Sequence, residues 1–390
     1  MRVGDRSRRQ RVQANRTPVV SLYGHRLGRG TGTGISVYVR ELLLAIAGEP
    51  GSGGLSFYMC GSREPGRDAP PLVDLPLFRP PIPRKLLHAV WTEVGRPAVD
   101  RFVGRPDLVH VLYPSCPVPS RAPVIYTVHD LMPLTTPEWF ARRERQMFEK
   151  AIRDAARRAE LLIAVSDSIA VQVRDHLGVE ERRIRVVSQG VSGVFLATQA
   201  PETIAAVCRR HGVEPGRYVI AIGAVSVRKN LRPVIASLAS IGDLRLVIAG
   251  PPGAGADRVV DDIREHGMAD RVRMTGWLQR EELAALLAGA AALVHPSLDE
   301  GFGMTPLEAM AAGVPAVVSD AGALPGTVGD AACIVPAGNP DGWAAALEKV
   351  TGDAALRADL VAKGKRRAAQ FTWARTARET VEAYQVCLGG

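Results

Sequence analysis

Val124-Ile125-Tyr126-Thr127-Val128 is followed by a helical pattern from Glu138 to Arg158, then by Leu161-Leu162-Ile163-Ala164-Val165 and a second helical pattern from Ser168 to Leu177. Short apolar runs, each leading into a longer helical segment, read as βαβ units on a parallel sheet. The rhythm extends both ways. Towards the N-terminus, Val19-Val20-Ser21-Leu22 precedes a helical pattern from Ile35 to Ile46. Towards the C-terminus, 199–217 reads as a connection plus a helix, and the rhythm then restarts at Tyr218-Val219-Ile220-Ala221-Ile222. It continues through Leu244 to Ala249, Val272 to Thr275, Leu293-Val294 and Val314 to Val318. Two doubly wound α/β domains follow, with a boundary near 196–216. A last helix, Phe371 to Cys387, begins at the start signal Thr372-Trp373 and fits either domain as a cap.

Composition agrees with this reading. The chain has 390 residues, 46% hydrophobic and 23% charged, with 5 cysteines, which excludes collagenous, disordered and disulfide-dense classes. Its net charge of +9 is unevenly placed: residues 1–16 hold six arginines against Asp5 alone, so the body carries only a mild excess. A basic nucleic-acid stripe is therefore not expected, and the tail reads as a disordered arm. Ser7-Arg8-Arg9 is followed by no apolar stretch of the kind an export signal needs. The run Leu283 to Leu298 is interrupted by Gly289, His295 and Pro296, short of the roughly 18 apolar residues of a membrane span. Cys60, Cys116, Cys208, Cys333 and Cys387 lie far apart, offering neither a paired framework nor a CxxC site, so a reducing, cytoplasmic setting is expected. No Asp-x-Asp pair and no His/Cys cluster with ligand spacing occurs, so neither a metal nor a cofactor is called for.

In open α/β sheets ligands bind at the carboxyl ends of the strands. The chemistry-bearing residues fall there: His129 after Val128, Arg228 and Lys229 after Ile222, Glu300 after Val294. These ends point to one cleft between two domains. The glycine-rich stretch 28–34 lacks both the dinucleotide and the P-loop spacing. Its last glycine, Gly34, precedes a helix whose free N–H groups suit an anion, although a plain surface loop fits equally well.

Asp299-Glu300-Gly301-Phe302-Gly303-Met304-Thr305-Pro306-Leu307-Glu308 is more informative. The glycines break any helix through Glu300, and Pro306 fits only a first helical turn. Glu300 thus sits on a loop, the N–H groups of 302–305 open a helix, and Glu308 lies one turn inside it. A helix start attracts phosphate, worth about 0.3–2 kcal/mol from the dipole alone, whereas carboxylates accept hydrogen bonds from hydroxyls. Sugar, phosphate and ribose suit the three parts, and this outweighs the plain alternative of a capped helix beside an exposed glutamate.

The segment 300–308 resembles the EX7E motif of retaining GT-B glycosyltransferases, and the chain resembles glycosyltransferase family 4. The likeness runs through Gly34-Ile35 with Tyr38, Val128-His129-Asp130-Leu131, Ser166-Asp167-Ser168, Gln189-Gly190-Val191, Arg228-Lys229-Asn230, Gly276-Trp277-Leu278, 295–315, Gly329-Asp330-Ala331 and Phe371-Thr372-Trp373. It implies a GT-B fold: two Rossmann-like domains facing a central cleft. An acceptor-binding domain would span 17–196 and a nucleotide-sugar-binding domain 197–370, with a helix at 371–390 crossing back to the first.

By the same resemblance, His129, Glu300 and Lys229 would be catalytic, with His129 beside the anomeric centre, Glu300 on the sugar hydroxyls and Lys229 on the leaving diphosphate. Gly34, Arg228, Trp277, Leu278, the backbone of Phe302, Gly303, Met304 and Thr305, and Glu308 on the ribose would complete the donor site. Two positions depart from the family pattern: Ala224, where many members carry arginine, and Gly326, where glutamate is common.

The implied reaction is metal-independent hexose transfer, with mannose as first choice, from a nucleoside diphosphate sugar to a glycan, lipid-linked or small-molecule hydroxyl. Two rivals stand beside it: a glycoside hydrolase using Glu300 and Glu308 as its carboxylate pair, and a non-catalytic nucleotide-sugar-binding subunit. Residues 84–105 mix Arg84, Lys85, Arg96, Arg101 and Arg105 with Leu86, Leu87, Val90, Trp91, Val94 and Phe102. That segment reads either as a helix packed on the first domain or as a peripheral contact with the inner membrane face.

Overall fold

A computed structural model describes residues 17–24, 34–49, 55–60, 77–78 and 80–389. The basic arm at 1–16 and the glycines from 28 to 32 lie outside the described residues. Two all-parallel sheets form. The first holds β1 (Val19–Tyr23), β2 (Ser56–Cys60), β3 (Leu77–Phe78), β4 (Leu108–Val111), β5 (Val124–Val128), β6 (Leu161–Ala164) and β7 (Ile184–Val186), in the order β3-β2-β1-β4-β5-β6-β7. The second holds β8 (Tyr218–Ile222), β9 (Arg245–Ala249), β10 (Val272–Gly276), β11 (Ala292–His295), β12 (Ala316–Ser319) and β13 (Cys333–Val335), in the order β10-β9-β8-β11-β12-β13.

Every residue of β4, β5 and β6 is buried, because helices cover both faces of the sheet; the unbroken apolar runs in the sequence follow from that. Each sheet reverses its winding once, between β1 and β4 and between β8 and β11. Crevices for ligands open at such switch points, beyond the carboxyl ends of the strands. The second helix of the sequence reading starts at Asp167, where the Ser166 hydroxyl caps the Ile169 N–H and Gly178 ends the helix in the left-handed region. The first is shorter than expected. Pro137–Trp139 makes a separate 3₁₀ turn and Phe140 is extended, so the helix runs only from Arg142 to Arg158.

The last helix, Trp373–Gly389, packs on the first domain against helix Gly34–Ala47. Its Trp373 and Tyr384 share a core with Val20, Leu22, Tyr38, Leu42 and Ile125. Within that core His110 bonds the Tyr384 hydroxyl through Nδ1 at 2.7 Å and Thr127 Oγ1 through Nε2 at 2.8 Å, and Thr127 reaches the Tyr38 hydroxyl at 3.1 Å. Burial, helped by His129, pushes His110 down to about 3, so it stays neutral and acts as a bridge. A separate apolar cluster runs from Tyr126 and Val128 through Val191 and Phe195 to Phe302, Leu307 and Met310, joining the two domains.

In the segment 84–105, helix Arg84–Val94 buries Leu87 and Trp91 but leaves Leu86 and Val94 at 56% and 66% exposure. Among the described residues no helix is long and apolar enough to cross a membrane.

Gly190 meets the returning chain so closely that an added Cβ would lie 2.3 Å from the Trp373 nitrogen. Gly190→Ala should therefore loosen the crossing helix and cost about 1–3 kcal/mol in denaturant unfolding, with Trp373 fluorescence shifting red.

Candidate functional site

Glu300 leaves β11 on a short loop and points its carboxylate back at the second sheet. Its Oε1 accepts from Arg228 Nη1 at 2.7 Å, Lys229 Nζ at 2.8 Å, Ser297 Oγ at 2.9 Å and His295 Nε2 at 3.0 Å. Burial opposes ionisation of this carboxyl, but Arg228, Lys229 and His295 outweigh it and hold it well below the usual carboxylate range. His295 is pushed down to about 4 by burial and by Lys229, so it donates to Glu300 as a neutral imidazole. Burial lowers Lys229 while Glu300 pulls the other way. Arg228 is raised, chiefly by Glu300. One carboxylate oxygen thus carries two cations and two neutral donors.

The two cations are aimed by the loop that bears them. Val227–Lys229 forms one 3₁₀ turn, ended by Asn230 in the left-handed region. The Asn230 amide donates to the Pro296 carbonyl at 3.1 Å and the Ala337 carbonyl at 2.9 Å, and Arg228 also donates to the Asp299 carbonyl at 3.0 Å. The loop after β8 is thereby stitched to the loop after β11, across the switch point of the second sheet.

Helix Met304–Ala311 begins beside this cluster. Among the described residues no side chain caps its N-terminus, where Gly303 stands at the cap position. The first N–H groups of a helix have no intrahelical partner, so those of Met304 and Thr305 are open to an acceptor from outside the helix. Gly34 opens a helix of the first domain, and a Cβ there would lie 3.2 Å from Met304 Cε. Phe302 is buried edge-on against Phe371, and Thr327 caps its carbonyl. Glu308 is buried one turn into the helix, 3.5 Å from Arg280.

His129 faces the cluster from the first domain. Its Nε2 donates to the Leu112 carbonyl at 3.0 Å, Gln189 Nε2 lies 3.4 Å from its Nδ1, and Tyr38 packs edge-on at 4.6 Å between centroids. Asp130 beside it is pushed up to about 6, by burial first, with Arg228 opposing and Asp299 and Glu300 adding to the rise. The domains touch here: Ser166 Oγ donates to the Gly301 carbonyl at 2.7 Å, and a Cβ on Gly301 would fall 1.8 Å from the His129 carbonyl oxygen.

His129, Arg228, Lys229, Glu300, 302–305, Glu308 and Gly34 accordingly converge at the meeting of the two sheets. Trp277 and Leu278 follow β10 at the edge of the second sheet; Leu278 packs on the core, while Trp277 is 42% exposed. His295, Ser297, Asn230, Gln189 and Arg280 also belong to the site, beyond the residues expected from sequence. Gln189, Asn230, His295 and Ser297 do lie in the family-like stretches 189–191, 228–230 and 295–315, whereas Arg280 carries no sequence signal.

Two family models match this chain: one described as Glycosyltransferase Family 4 over 32–192 and one as Glycosyl transferases group 1 over 209–367. An O-antigen chain mannosyltransferase B of Escherichia coli is 28% identical over 67% of this chain and 70% of its own length. A D-inositol 3-phosphate glycosyltransferase of Pseudarthrobacter chlorophenolicus is 28% identical over 93% and 92%. Among solved structures, Anabaena HepE in complex with UDP and glucose superposes with a TM-score of 0.72 at 19% identity, covering 95% of this chain and all of that one.

The approach of Gly301 to His129 leaves no room for a side chain. Gly301→Ala should break the Ser166 contact and open the cleft, read as a larger radius of gyration in solution scattering with helical content unchanged.

Proposed function

The chain belongs to glycosyltransferase family 4, and from that membership we propose that it moves a hexose from a nucleoside diphosphate sugar to an acceptor hydroxyl, with retained anomeric configuration and without a metal ion. The observation that carries this reading is the placement of Arg228 and Lys229 on Glu300, next to the uncapped start of helix Met304–Ala311. A diphosphate bound there accepts from the Met304 and Thr305 N–H groups and from both cations. Glu300 keeps Oε2 for the sugar hydroxyls, since the donors around it converge on Oε1. Glu308 takes the ribose and His129 lies beside the sugar.

As the bond from the anomeric carbon to the phosphate oxygen breaks, negative charge grows on that oxygen. Arg228 and Lys229 meet it without reorganising, the condition under which electrostatic stabilisation is strongest. The acceptor oxygen bonds to the anomeric carbon from the same face, and its proton passes to the departing phosphate oxygen. These fixed cations take the part a divalent ion plays elsewhere, which supports metal independence. Mannose and a glycan acceptor are the first candidates, given the mannosyltransferase named above.

The hydrolase reading needs one carboxyl of the pair as a proton donor and the other as nucleophile or base. Glu300, held ionised by two cations, has no proton to give, and its charge is already neutralised.

Lys229→Ala and Glu300→Ala should each lower sugar transfer about 10²- to 10³-fold, measured as nucleotide release from a panel of UDP- and GDP-sugars with acceptor present. Full activity in either variant removes that residue from the mechanism, and nucleotide binding with no turnover of any donor favours the non-catalytic subunit. Exposed Leu86 and Val94, with Lys85 and Arg96 near them, support docking of 84–105 on an anionic bilayer. Flotation with anionic vesicles at low salt should carry the wild type up, and Leu86→Asp with Val94→Asp should not.

A further inference from the structure

Arg280 opens the helix Arg280–Ala288, three residues beyond the exposed Trp277, and turns inward. Its guanidinium lies over the ring of Phe195, with Cζ 5.3 Å from the centroid. Its Nη2 is 3.5 Å from Glu308 Oε1, at the outer limit of hydrogen-bond length. That Nη2 is sealed from solvent and has no hydrogen-bond partner among the described residues. Buried donors are rarely left unpaired in native folds. The guanidinium thus sits between the Phe195 ring and the Glu308 carboxylate.

A vicinal diol fits this pair. Each hydroxyl donates one proton and keeps lone pairs on its oxygen. A carboxylate alone satisfies the protons, and a guanidinium beside it satisfies the oxygens. We propose that Arg280 is a specificity-determining residue for the donor, gripping the ribose diol together with Glu308: the carboxylate accepts from the hydroxyls and Nη2 donates to their oxygens. This rests on the transferase reading and deepens it, because it makes the enzyme select ribonucleotide over 2′-deoxyribonucleotide donors.

Arg280 also governs whether the carboxylate is available. Burial pushes Glu308 up to about 7, Arg280 pulls it down, and Glu41, reaching over from helix Gly34–Ala47, pushes it up again. Glu41 is itself tied to Arg40 and to the Ser192 hydroxyl. Among the described residues acting on Glu308, Arg280 is the one cation. Diol binding needs the ionised form, so affinity rises with pH through this range, and without Arg280 the rise moves to higher pH.

The test is calorimetric titration of the full chain with UDP, GDP and their 2′-deoxy counterparts, for wild type, Arg280→Met and Arg280→Lys, between pH 6 and 9. Wild type should favour the ribonucleotide about tenfold. Arg280→Met should bind it about 10- to 100-fold more weakly, lose the preference, and show its pH rise displaced upward. Arg280→Lys, the check against misfolding, should recover part of the affinity and return the pH profile towards wild type. Wild-type affinity, preference and pH profile retained in Arg280→Met overturn the inference alone. Wild type that binds neither nucleotide overturns the transferase reading and this inference with it.

Discussion

A single carboxylate oxygen organises the second domain. Arg228 and Lys229 are partly buried cations on one loop, Glu300 a partly buried anion on another, and removing one leaves the others with uncompensated charge. The loops after β8 and β11 therefore adopt one mutual arrangement or lose the cluster. Asn230 enforces the same arrangement by a second route, bonding two carbonyls from the left-handed region at the end of the cationic turn. Ser297 and His295 supply neutral donors that finish solvating the carboxylate without adding charge. Arg228, Lys229 and Glu300 together carry one net positive charge, and Asp130 and Asp299 lie near enough to Arg228 to offset part of it.

The first domain is fitted to this cluster by backbone as much as by side chains. Gly301 lies against the His129 carbonyl and Ser166 holds the Gly301 carbonyl, so the loop that carries Glu300 also forms the contact between the domains. Behind His129 stands Tyr38, and behind Tyr38 the chain Thr127–His110–Tyr384 leads to the returning helix. The last residues of the chain thus help set the ring that faces the site. Neutral His110 is what lets this path exist, since a buried imidazolium between two hydroxyls would need an anion that the core does not offer.

Much of this architecture was legible in sequence because parallel sheets covered on both faces demand continuous apolar runs. β5, β6 and β8 announce themselves in that way. β2, β3 and β7 do not: Leu77–Phe78 is two residues long, and Ile184-Arg185-Val186 ends the sheet with an arginine in its middle. The helix expected from Glu138 starts later because Pro137 opens a separate turn and Phe140 is extended. In the site, Glu300, Lys229 and the 302–305 helix start stood out locally, by charge at a strand end or by glycine and proline placement. Ser297, Asn230 and Arg280 carry no such mark. Ser297 solvates Glu300 as a neutral donor from three residues away, and the meaning of Asn230 and Arg280 lies in partners 66 and 28 residues off.

The same distinction separates the two glutamates, which sequence alone presents as a matched pair. Both sit in one domain, eight residues apart, yet their surroundings drive them in opposite directions. Glu300 is surrounded by donors and stays ionised; Glu308 has one loosely placed arginine, an acid facing it from the other domain, and a carboxyl raised to about 7. A carboxylate already saturated by cations has a fixed role, orienting whatever binds its free oxygen. A carboxyl poised near neutrality, with an unpaired N–H beside it, is completed only by a ligand that brings both protons and lone pairs. Glu300 therefore belongs to the standing framework of the site, whereas Glu308 and Arg280 form the part that is finished when the donor arrives.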